Sequence, residues 1–388
     1  MNNSISCSGP DFGLSDEQKL LREEVRRFAE ERIQPGVRER DLKHEFPAAI
    51  LREVGELGLL GMLVEEELGG AGYDAVSYVV AIEEIARICP SVAVAMSVTN
   101  SVCCWPIARF GSKALRQTYL PRLASGEMLG AFGLTEPGAG SDIGGIQTSA
   151  ELRDGTWTLN GEKAWITNAG VAGVYVVVAR TDMRAAKRGL SAFVVQAEAE
   201  GLSIGEPEDK LGLRASRTAS LSFDECTIPE SNLLGQEGQG FKIALATLDH
   251  SRLGIAAQAV GIHQRALELA TEYAKQRWQF GVPIAKHQAI RFNLAEMATD
   301  LAAARELTRF AAWRSHKEGG GRLASEAKLF ASEAANRACY SSLQIHGGNG
   351  FSEDSEVARL YRDVRVTTIY EGTSEMQRVV IARKLLRS

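Results

Sequence analysis

An acidic residue near the end of the chain, Glu371, lies at a break between two kinds of sequence. A run rich in β-branched and aromatic residues, 364–370, precedes it, and a glycine, two hydroxyl residues and a helical pattern follow it. Thr373 or Ser374 can cap that helix from Met376 onward, which leaves the Glu371 side chain free of any helical role. A carboxylate held in this way can act as a general base. The local pattern by itself favours the other interpretation, a solvated loop acid beside an ordinary N-cap.

A wider set of glycine, hydroxyl, aromatic and basic residues could bind a polar ligand. Each cluster alone is more typical of a turn or a helix cap than of a site. Together, their backbone N–H groups and hydroxyls are complementary to a flavin edge and a pyrophosphate, Arg277 suits a phosphate, and Trp165 offers a stacking face. The clusters contain Thr135, Ser141, Trp165, Ile166, Thr167, Arg277, Gln288, Gln344, Ile345, Gly347, Gly348, Thr373 and Ser374.

Three other kinds of site find no support in the sequence. Gly138 and Gly140 resemble the start of a dinucleotide loop, but the third glycine is Gly144, one position too late, and no βαβ pattern surrounds it. The sequence contains no P-loop motif. Six histidines are widely separated and six cysteines form no C-x-x-C pair, so we expect no metal site and reduced, mostly buried thiols.

Composition and charge narrow the classes of function for this chain of 388 residues. Its length predicts two or three domains, since a domain typically has roughly 100–200 residues. The net charge of −5 gives no overall cationic field, so we expect no nucleic-acid partner. No uninterrupted apolar run approaches the roughly 18 residues of a membrane span. The first residues are polar and show no secretory or transit signal, which predicts a cytoplasmic protein.

Hydrophobic spacing divides the chain into three parts. The first is helical, opens with a capping-box signature at Ser15 and Gln18, and has patterns at 15–33, 48–59, 73–88, 92–110 and 113–123. The second has short β-branched runs at 128–135, 174–179, 191–196 and 219–223, and a hairpin with a D-G turn at 150–159. The third predicts an antiparallel helical bundle, with patterns at 241–277, 287–316, 324–346 and 373–386.

Six stretches in register resemble the acyl-CoA dehydrogenase family over nearly the whole chain, and most closely its short-chain (butyryl-CoA) branch. They are 132–142 (FGLTEPGAGSD), 163–168 (KAWITN), 210–214 (KLGLR), 277–288 (RWQFGVPIAKHQ), 344–351 (QIHGGNGF) and 370–377 (YEGTSEMQ). The resemblance implies a mostly α fold with a central β domain. Its parts would be an N-terminal α-helical domain at 1–125, a middle β-barrel-like domain at 126–238 and a C-terminal four-helix bundle domain at 239–388. Family members are usually homotetramers, arranged as dimers of dimers.

The resemblance also implies FAD as the cofactor. Residues along its isoalloxazine would be Phe132, Leu134, Thr135, Gly140, Ser141, Trp165, Ile166 and Thr167. Residues that reach the adenosine diphosphate half of a neighbouring subunit's FAD would be Arg277, Phe280, Gln288, Gln344, Ile345, Gly347 and Gly348. Thr373, Ser374 and Glu375 would complete the cofactor side.

The implied reaction is the α,β-dehydrogenation of an acyl-CoA to the trans-2-enoyl-CoA. Glu371 would remove the α-proton, the β-hydride would pass to flavin N5, and an electron-transfer flavoprotein would accept the electrons. Isovaleryl- and long-chain-type relatives carry their catalytic glutamate at the position of Ser251 instead. Positions matching contacts of the CoA thioester are Ser141, Asp249, His250, Ser251, Arg252 and Gly372. Arg252 could alternatively form a plain ion pair with Asp249.

Acyl specificity in this family depends partly on the segment 93–104, which carries no charge here. A glutaryl-type (dicarboxylyl) substrate would need a cationic side chain to bind its distal carboxylate. The position that corresponds to such a side chain is Ala93, so dicarboxylyl substrates are disfavoured. We therefore expect a short straight or branched acyl chain. The alternatives are an acyl-CoA oxidase, a specialised dehydrogenase of amino-acid or aromatic breakdown, and a non-enzymatic DNA-binding relative, which the net charge of −5 disfavours.

Overall fold

The computed structural model describes residues 13–315 and 320–386. The polar start of the chain, with Cys7, and the predicted link at 316–319 lie outside these residues. The described chain is helical up to residue 124, as the spacing predicts. Its α-helices are α1 (Asp16–Phe28), α2 (Val37–Lys43), α3 (Ala48–Glu56), α4 (Ala75–Ile88), α5 (Pro90–Val98), α6 (Trp105–Phe110) and α7 (Lys113–Ala124). Short π-helical turns at Ala29–Ile33 and Thr99–Cys104 extend α1 and join α5 to α6.

The start of α1 confirms the predicted capping box. The Gln18 backbone N–H donates to Ser15 Oγ at 3.2 Å, and the Ser15 backbone N–H donates to Gln18 Oε1 at 3.1 Å. Helix α2 was not predicted from the sequence, because most of its residues are charged and give no apolar stripe. Gly36, with φ of +80°, precedes α2 in a left-handed conformation that glycine adopts without steric cost.

An eight-stranded sheet forms the middle of the chain. Its strands are β1 (Leu129–Gly133), β2 (Ser149–Arg153), β3 (Thr156–Thr167), β4 (Ala172–Arg180), β5 (Leu190–Gln196), β6 (Leu202–Ile204), β7 (Thr218–Pro229) and β8 (Leu233–Leu234). The order is β6-β7-β3-β2-β4-β5-β8, and β1 pairs in parallel with β4. The hairpin of β2 and β3 turns at Asp154 and Gly155, as predicted.

Helices again fill the described chain after residue 239, apart from a small hairpin of β9 (Trp278–Gln279) and β10 (Val282–Pro283). They are α8 (Gly240–Gln276), α9 (Gln288–Trp313), α10 (Gly320–His346), α11 (Glu356–Val364) and α12 (Ser374–Leu385). Helices α8, α9 and α10 pack against one another, and α12 packs on α10. Helical spacing predicted these four helices but not α11. Helix α4 also packs on α8, which joins the first part of the chain to the bundle.

The continuous helical stretch Pro90–Phe110 is long and apolar enough to cross a membrane. In the structure 89% of its most apolar window is buried inside the protein, as in the core helix of a globular fold. Five cysteines in the described chain are free and buried, as predicted: Cys89, Cys103, Cys104, Cys226 and Cys339. Within residues 13–315 and 320–386, no group of three or more His, Cys, Asp or Glu residues is arranged to hold a metal ion.

Candidate active site

A cavity of about 620 Å³ opens where the sheet, α8 and the segment before α12 meet. The end of β1 and the glycine-rich loop after it form part of its wall, as do the end of β3 and the N-terminal half of α8. Val98 and Val102 reach it from the buried stretch Pro90–Phe110. Glu371, Gly372 and Thr373 line the cavity next to the start of α12.

The backbone around Glu371 is left-handed at two consecutive residues. Glu371 has φ of +54° and Gly372 has φ of +90°. A non-glycine residue in this region is uncommon and energetically costly, and such residues cluster at functional sites. The residues before them form a 3-10 turn, Arg365–Thr368, rather than a strand. Thr373 caps α12, since its Oγ1 accepts from the Met376 N–H at 3.3 Å, and the helix begins at Ser374 rather than at Met376.

The Glu371 carboxylate receives a hydrogen bond from Ser251 on α8, with Oγ to Oε2 at 2.5 Å. Burial raises the pKa of Glu371 above its usual value, while the Ser251 hydroxyl and the positive charges of Arg252 and Lys328 act in the opposite direction. A carboxylate with a raised pKa is a better proton acceptor near neutral pH. The interpretation of Glu371 as a freely solvated loop acid therefore does not hold.

Arg252 is 4% exposed and lines the cavity one residue after Ser251. Its guanidinium donates to Asp249 and, at 3.2 Å, to Ser325 Oγ on α10. The plain ion pair with Asp249 thus exists, but it lies in the cavity wall. Burial lowers the pKa of Arg252, and Asp249 and Glu371 raise it in part. His250, by contrast, stacks on Trp105 with ring centroids 5.1 Å apart and does not line the cavity.

The predicted isoalloxazine residues come together at the cavity. All eight line it: Phe132, Leu134, Thr135, Gly140, Ser141, Trp165, Ile166 and Thr167. Trp165 is 61% exposed at a φ of +61°, so the backbone holds a large apolar ring against open space. A Cβ built on Gly138 or Gly140 would meet no atom within 4 Å, which leaves room for a ligand along this loop. An exposed indole beside three hydroxyls fits the planar, polar-edged ring system of FAD.

A buried ion pair that was not predicted from the sequence holds the glycine-rich loop in place. Lys163 Nζ on β3 lies 2.7 Å from Glu136 Oε1, and it also donates to the Leu134 carbonyl at 3.4 Å. Glu136 accepts the backbone N–H groups of Gln147 and Thr148 at 2.7 and 2.9 Å. Burial would raise the pKa of Glu136, but Lys163 and these N–H donors bring it below its usual value. The pair fixes both ends of the loop that carries Thr135 and Ser141.

The residues predicted to serve a neighbouring subunit's FAD do not line this cavity. They lie near the C-terminal ends of α8 and α10 and the start of α9. The ends of α8 and α10 are in contact, because the Tyr273 ring stacks on His346 with centroids 4.3 Å apart and Asn349 donates to the Tyr273 hydroxyl at 3.0 Å. Most are exposed: Arg277, Phe280, Gln288, Gln344, Gly347 and Gly348, whereas Ile345 is buried. Of the residues predicted to complete the cofactor side, Thr373 lines the cavity, but the buried Ser374 and the exposed Glu375 do not.

Two further residues contact the turn that carries Glu371, and neither was predicted as a site residue. Lys328 Nζ donates to the Gly372 carbonyl at 2.8 Å, and Gln377 Nε2 donates to the same oxygen at 2.7 Å. Lys328 follows Ser325 by three residues on α10, in an otherwise alanine-rich buried stripe. A lysine on the buried face of a predicted bundle helix is the signal that could have found it.

One G-x-S-x-G pentapeptide is present at 201–205 and superficially resembles a nucleophile elbow. Ser203 lies inside β6, which pairs with β7, and not on a strand-to-helix turn. The pentapeptide therefore does not indicate a hydrolase.

Comparisons with known proteins agree with this geometry. Models of the N-terminal, middle and C-terminal domains of acyl-CoA dehydrogenase match residues 15–127, 131–226 and 238–386. The human short-chain specific acyl-CoA dehydrogenase, mitochondrial, is 49% identical over 97% of this chain and 91% of its own length. The butyryl-CoA dehydrogenase structure from Megasphaera elsdenii matches with a TM-score of 0.95 at 44% identity, over 97% of this chain and all of that chain.

A third match is a chain of a structure described as the electron transferring flavoprotein of Acidaminococcus fermentans. It has a TM-score of 0.96 at 42% identity and covers 97% of this chain and 100% of its own. Family models that together span most of the chain, and relatives at this identity, establish the family. The chain belongs to the acyl-CoA dehydrogenase family, and it is an FAD-dependent oxidoreductase.

Proposed function

We propose that the protein dehydrogenates a short-chain acyl-CoA, straight or branched, to the trans-2-enoyl-CoA, with Glu371 as the α-proton base. The observation that carries this proposal is the position of Glu371. Its carboxylate lies in the cavity wall, hydrogen-bonded to Ser251 and with a pKa raised by burial. The same cavity presents Trp165 and Thr167, which are proposed to contact the flavin.

The chemistry needs a base and help for a developing negative charge, because a thioester α-carbon is a weak acid. Glu371 takes the α-proton on its carboxylate. The thioester oxygen accepts a hydrogen bond from the Glu371 backbone N–H, which the left-handed turn holds in place. A bound FAD would supply the oxidation, as the acceptor of the β-hydride. Substrate binding expels water from the cavity, which raises the pKa of Glu371 further and improves its match as a base.

The preference for a short acyl chain rests on two kinds of support. The uncharged segment 93–104 contributes Val98 and Val102 to the cavity, where an apolar chain would contact them. Relatives that cover nearly the whole chain are named for short-chain and butyryl-CoA substrates. One methylene changes binding in an apolar pocket by about 1–3 kcal/mol, so the expected preference is graded. Turnover that rises steadily with chain length from C4 to C12 would contradict this part.

The partner and assembly predictions belong to the same proposal. An electron-transfer flavoprotein as acceptor is supported by the likeness to the Acidaminococcus fermentans chain. A homotetramer is supported by the exposed position of the residues predicted to reach a neighbouring subunit's cofactor. The domain boundaries at 125/126 and 238/239 and the cytoplasmic location stay predictions.

The proposed function is tested with purified holoenzyme and the Glu371→Gln variant. The wild-type flavin absorbance should bleach when butyryl-CoA is added without oxygen. Glu371→Gln should retain FAD and bind butyryl-CoA, yet lose nearly all turnover and nearly all exchange of the substrate α-protons with D₂O, because the amide cannot accept the proton. Flavin that stays oxidised with every short acyl-CoA would contradict the proposed dehydrogenase activity. A Glu371→Gln variant that keeps turnover would show that another residue is the base. Rapid oxygen consumption in place of flavoprotein-dependent dye reduction would favour an oxidase.

A further inference from the structure

A buried lysine lies beneath the turn that carries Glu371. Lys328 on α10 is 0% exposed, and its Nζ donates to the carbonyl oxygen of Gly372 at 2.8 Å. The buried Gln377 on α12 donates to the same oxygen at 2.7 Å and to the Glu371 carbonyl at 3.3 Å. Two helices thus hold one peptide carbonyl, directly after Glu371.

That peptide belongs to a backbone conformation which the chain does not adopt freely. Glu371 and Gly372 are both left-handed, and only glycine visits this region at little cost. The turn is also crowded, because a Cβ on Gly372 would lie 2.8 Å from Gln377 Nε2. Hydrogen bonds from Lys328 and Gln377 therefore hold a strained turn, and with it the direction of the Glu371 side chain and backbone N–H.

The charge of Lys328 acts on the same turn. The charged groups that face it are Glu371, Arg252, Glu333 and Glu375. Arg252 is already engaged by Asp249 and Ser325, whereas Lys328 donates to a neutral carbonyl. An ammonium group that is not neutralised by a carboxylate hydrogen bond favours the ionised form of a nearby carboxyl group. Burial lowers the pKa of Lys328 to about 7, so the lysine costs free energy to keep charged there. Buried groups with strongly shifted pKa values cluster at functional sites, so Lys328 is a candidate functional residue.

We propose that Lys328 is a positioning residue for Glu371. Its ammonium group holds the left-handed turn through the Gly372 carbonyl and keeps the Glu371 carboxylate ionised and ready to accept the α-proton. This inference rests on the proposed role of Glu371 as the base. Lys328 does not line the cavity, so it acts through Glu371 and the turn and not by touching the substrate.

Three substitutions separate charge from packing. Lys328→Arg keeps the charge, Lys328→Gln keeps an amide donor without the charge, and Lys328→Met removes both. The acid limb of the kcat profile should move up by about one pH unit in the Gln and Met variants, because loss of the cation raises the pKa of Glu371. At a pH below the acid limb, a shift of one pH unit corresponds to about a tenfold loss of kcat. The Arg variant should stay within about threefold of wild type. The Met variant should also speed backbone amide exchange at 370–374.

Each readout has a control. Lys275→Met removes a lysine from the exposed end of α8 and should leave the pH profile unchanged. The FAD content of each variant shows whether it has folded. If Lys328→Met does not retain FAD, the inference is tested with Lys328→Gln and Lys328→Arg alone. An acid limb that stays in place in the folded Gln or Met variant overturns the inference. Retained turnover in Glu371→Gln would instead overturn the proposed function, so the two failures are distinguishable.

Discussion

Ser251 and Glu371 form a pair in which only one partner can carry a negative charge. Two carboxyl groups at these positions would share the site, and one of them would have a strongly raised pKa. With a serine at 251, the pair has a single carboxylate and a hydroxyl that donates to it at 2.5 Å. The sequence located Glu371 because its motif and the break before α12 are local features. Lys328 was not predicted, because its partner Gly372 is 44 residues away in the sequence and only the packing of α10 brings the two together.

Ser251→Ala tests the hydrogen bond to Glu371, the proposed base. We expect the acid limb of the kcat profile to move to higher pH by roughly one to two units. A hydrogen bond to a charged group contributes about 1.5–3 kcal/mol, and one pKa unit corresponds to about 1.4 kcal/mol. The sign follows from the state that is stabilised, since Ser251 favours the ionised carboxylate and so lowers the pKa of Glu371.

Ser342→Ala is the matched control for that measurement. Ser342 is also a buried serine between α10 and α8, but its Oγ donates to the Ala266 carbonyl at 2.9 Å. Its removal should change stability and leave the pH profile in place. A limb that moves to lower pH in Ser251→Ala, or moves equally in both variants, would contradict the assignment.

At the scale of elements, the site depends on how β1 meets the π-helical turn Thr99–Cys104. The Gly130 N–H on β1 is 3.4 Å from Thr99 Oγ1, and Asn168 at the end of β3 donates to the Gly130 carbonyl at 3.0 Å. These contacts bring together the segment 93–104, predicted to contact the acyl chain, and the strands predicted to contact the flavin. Periodicity predicted the helix and the strand separately. It could not predict their junction, because no local pattern records which strand packs on which turn.

Gly130→Ala tests this junction. A Cβ at this position would lie 2.3 Å from Cys103 Sγ and 2.4 Å from Cys103 Cβ, closer than packed atoms allow. Overpacking of this kind costs about 1–3 kcal/mol, so the variant should lower the free energy of unfolding by about that amount and weaken FAD retention. Urea unfolding of the holoenzyme measures the first effect. Gly145→Ala is the control, since its Cβ would come no closer than 3.5 Å to another atom, an ordinary packing distance, and equal losses in both variants would contradict the packing argument.

At the scale of the whole molecule, three exposed aromatic side chains lie near the ends of α8 and α10. Trp278 and Phe280 are 59% and 93% exposed on the hairpin after α8, and Phe351 is 82% exposed after α10. Large apolar groups clustered on a surface mark interaction sites. Of these three, only Phe280 was predicted as a site residue, through the family resemblance and as a contact of a neighbouring subunit's FAD.

Phe280→Ser tests whether that surface joins subunits. We expect the wild-type protein to have the mass of four chains of 42.0 kDa, and the variant to dissociate and to lose FAD, since the predicted interface and the cofactor contacts coincide there. Sedimentation with absorbance detection measures both. Met183→Ser is the control, because Met183 is 68% exposed but lies in the turn between β4 and β5. A wild-type protein that sediments at 42.0 kDa with its FAD retained would contradict the tetramer and the shared cofactor site together.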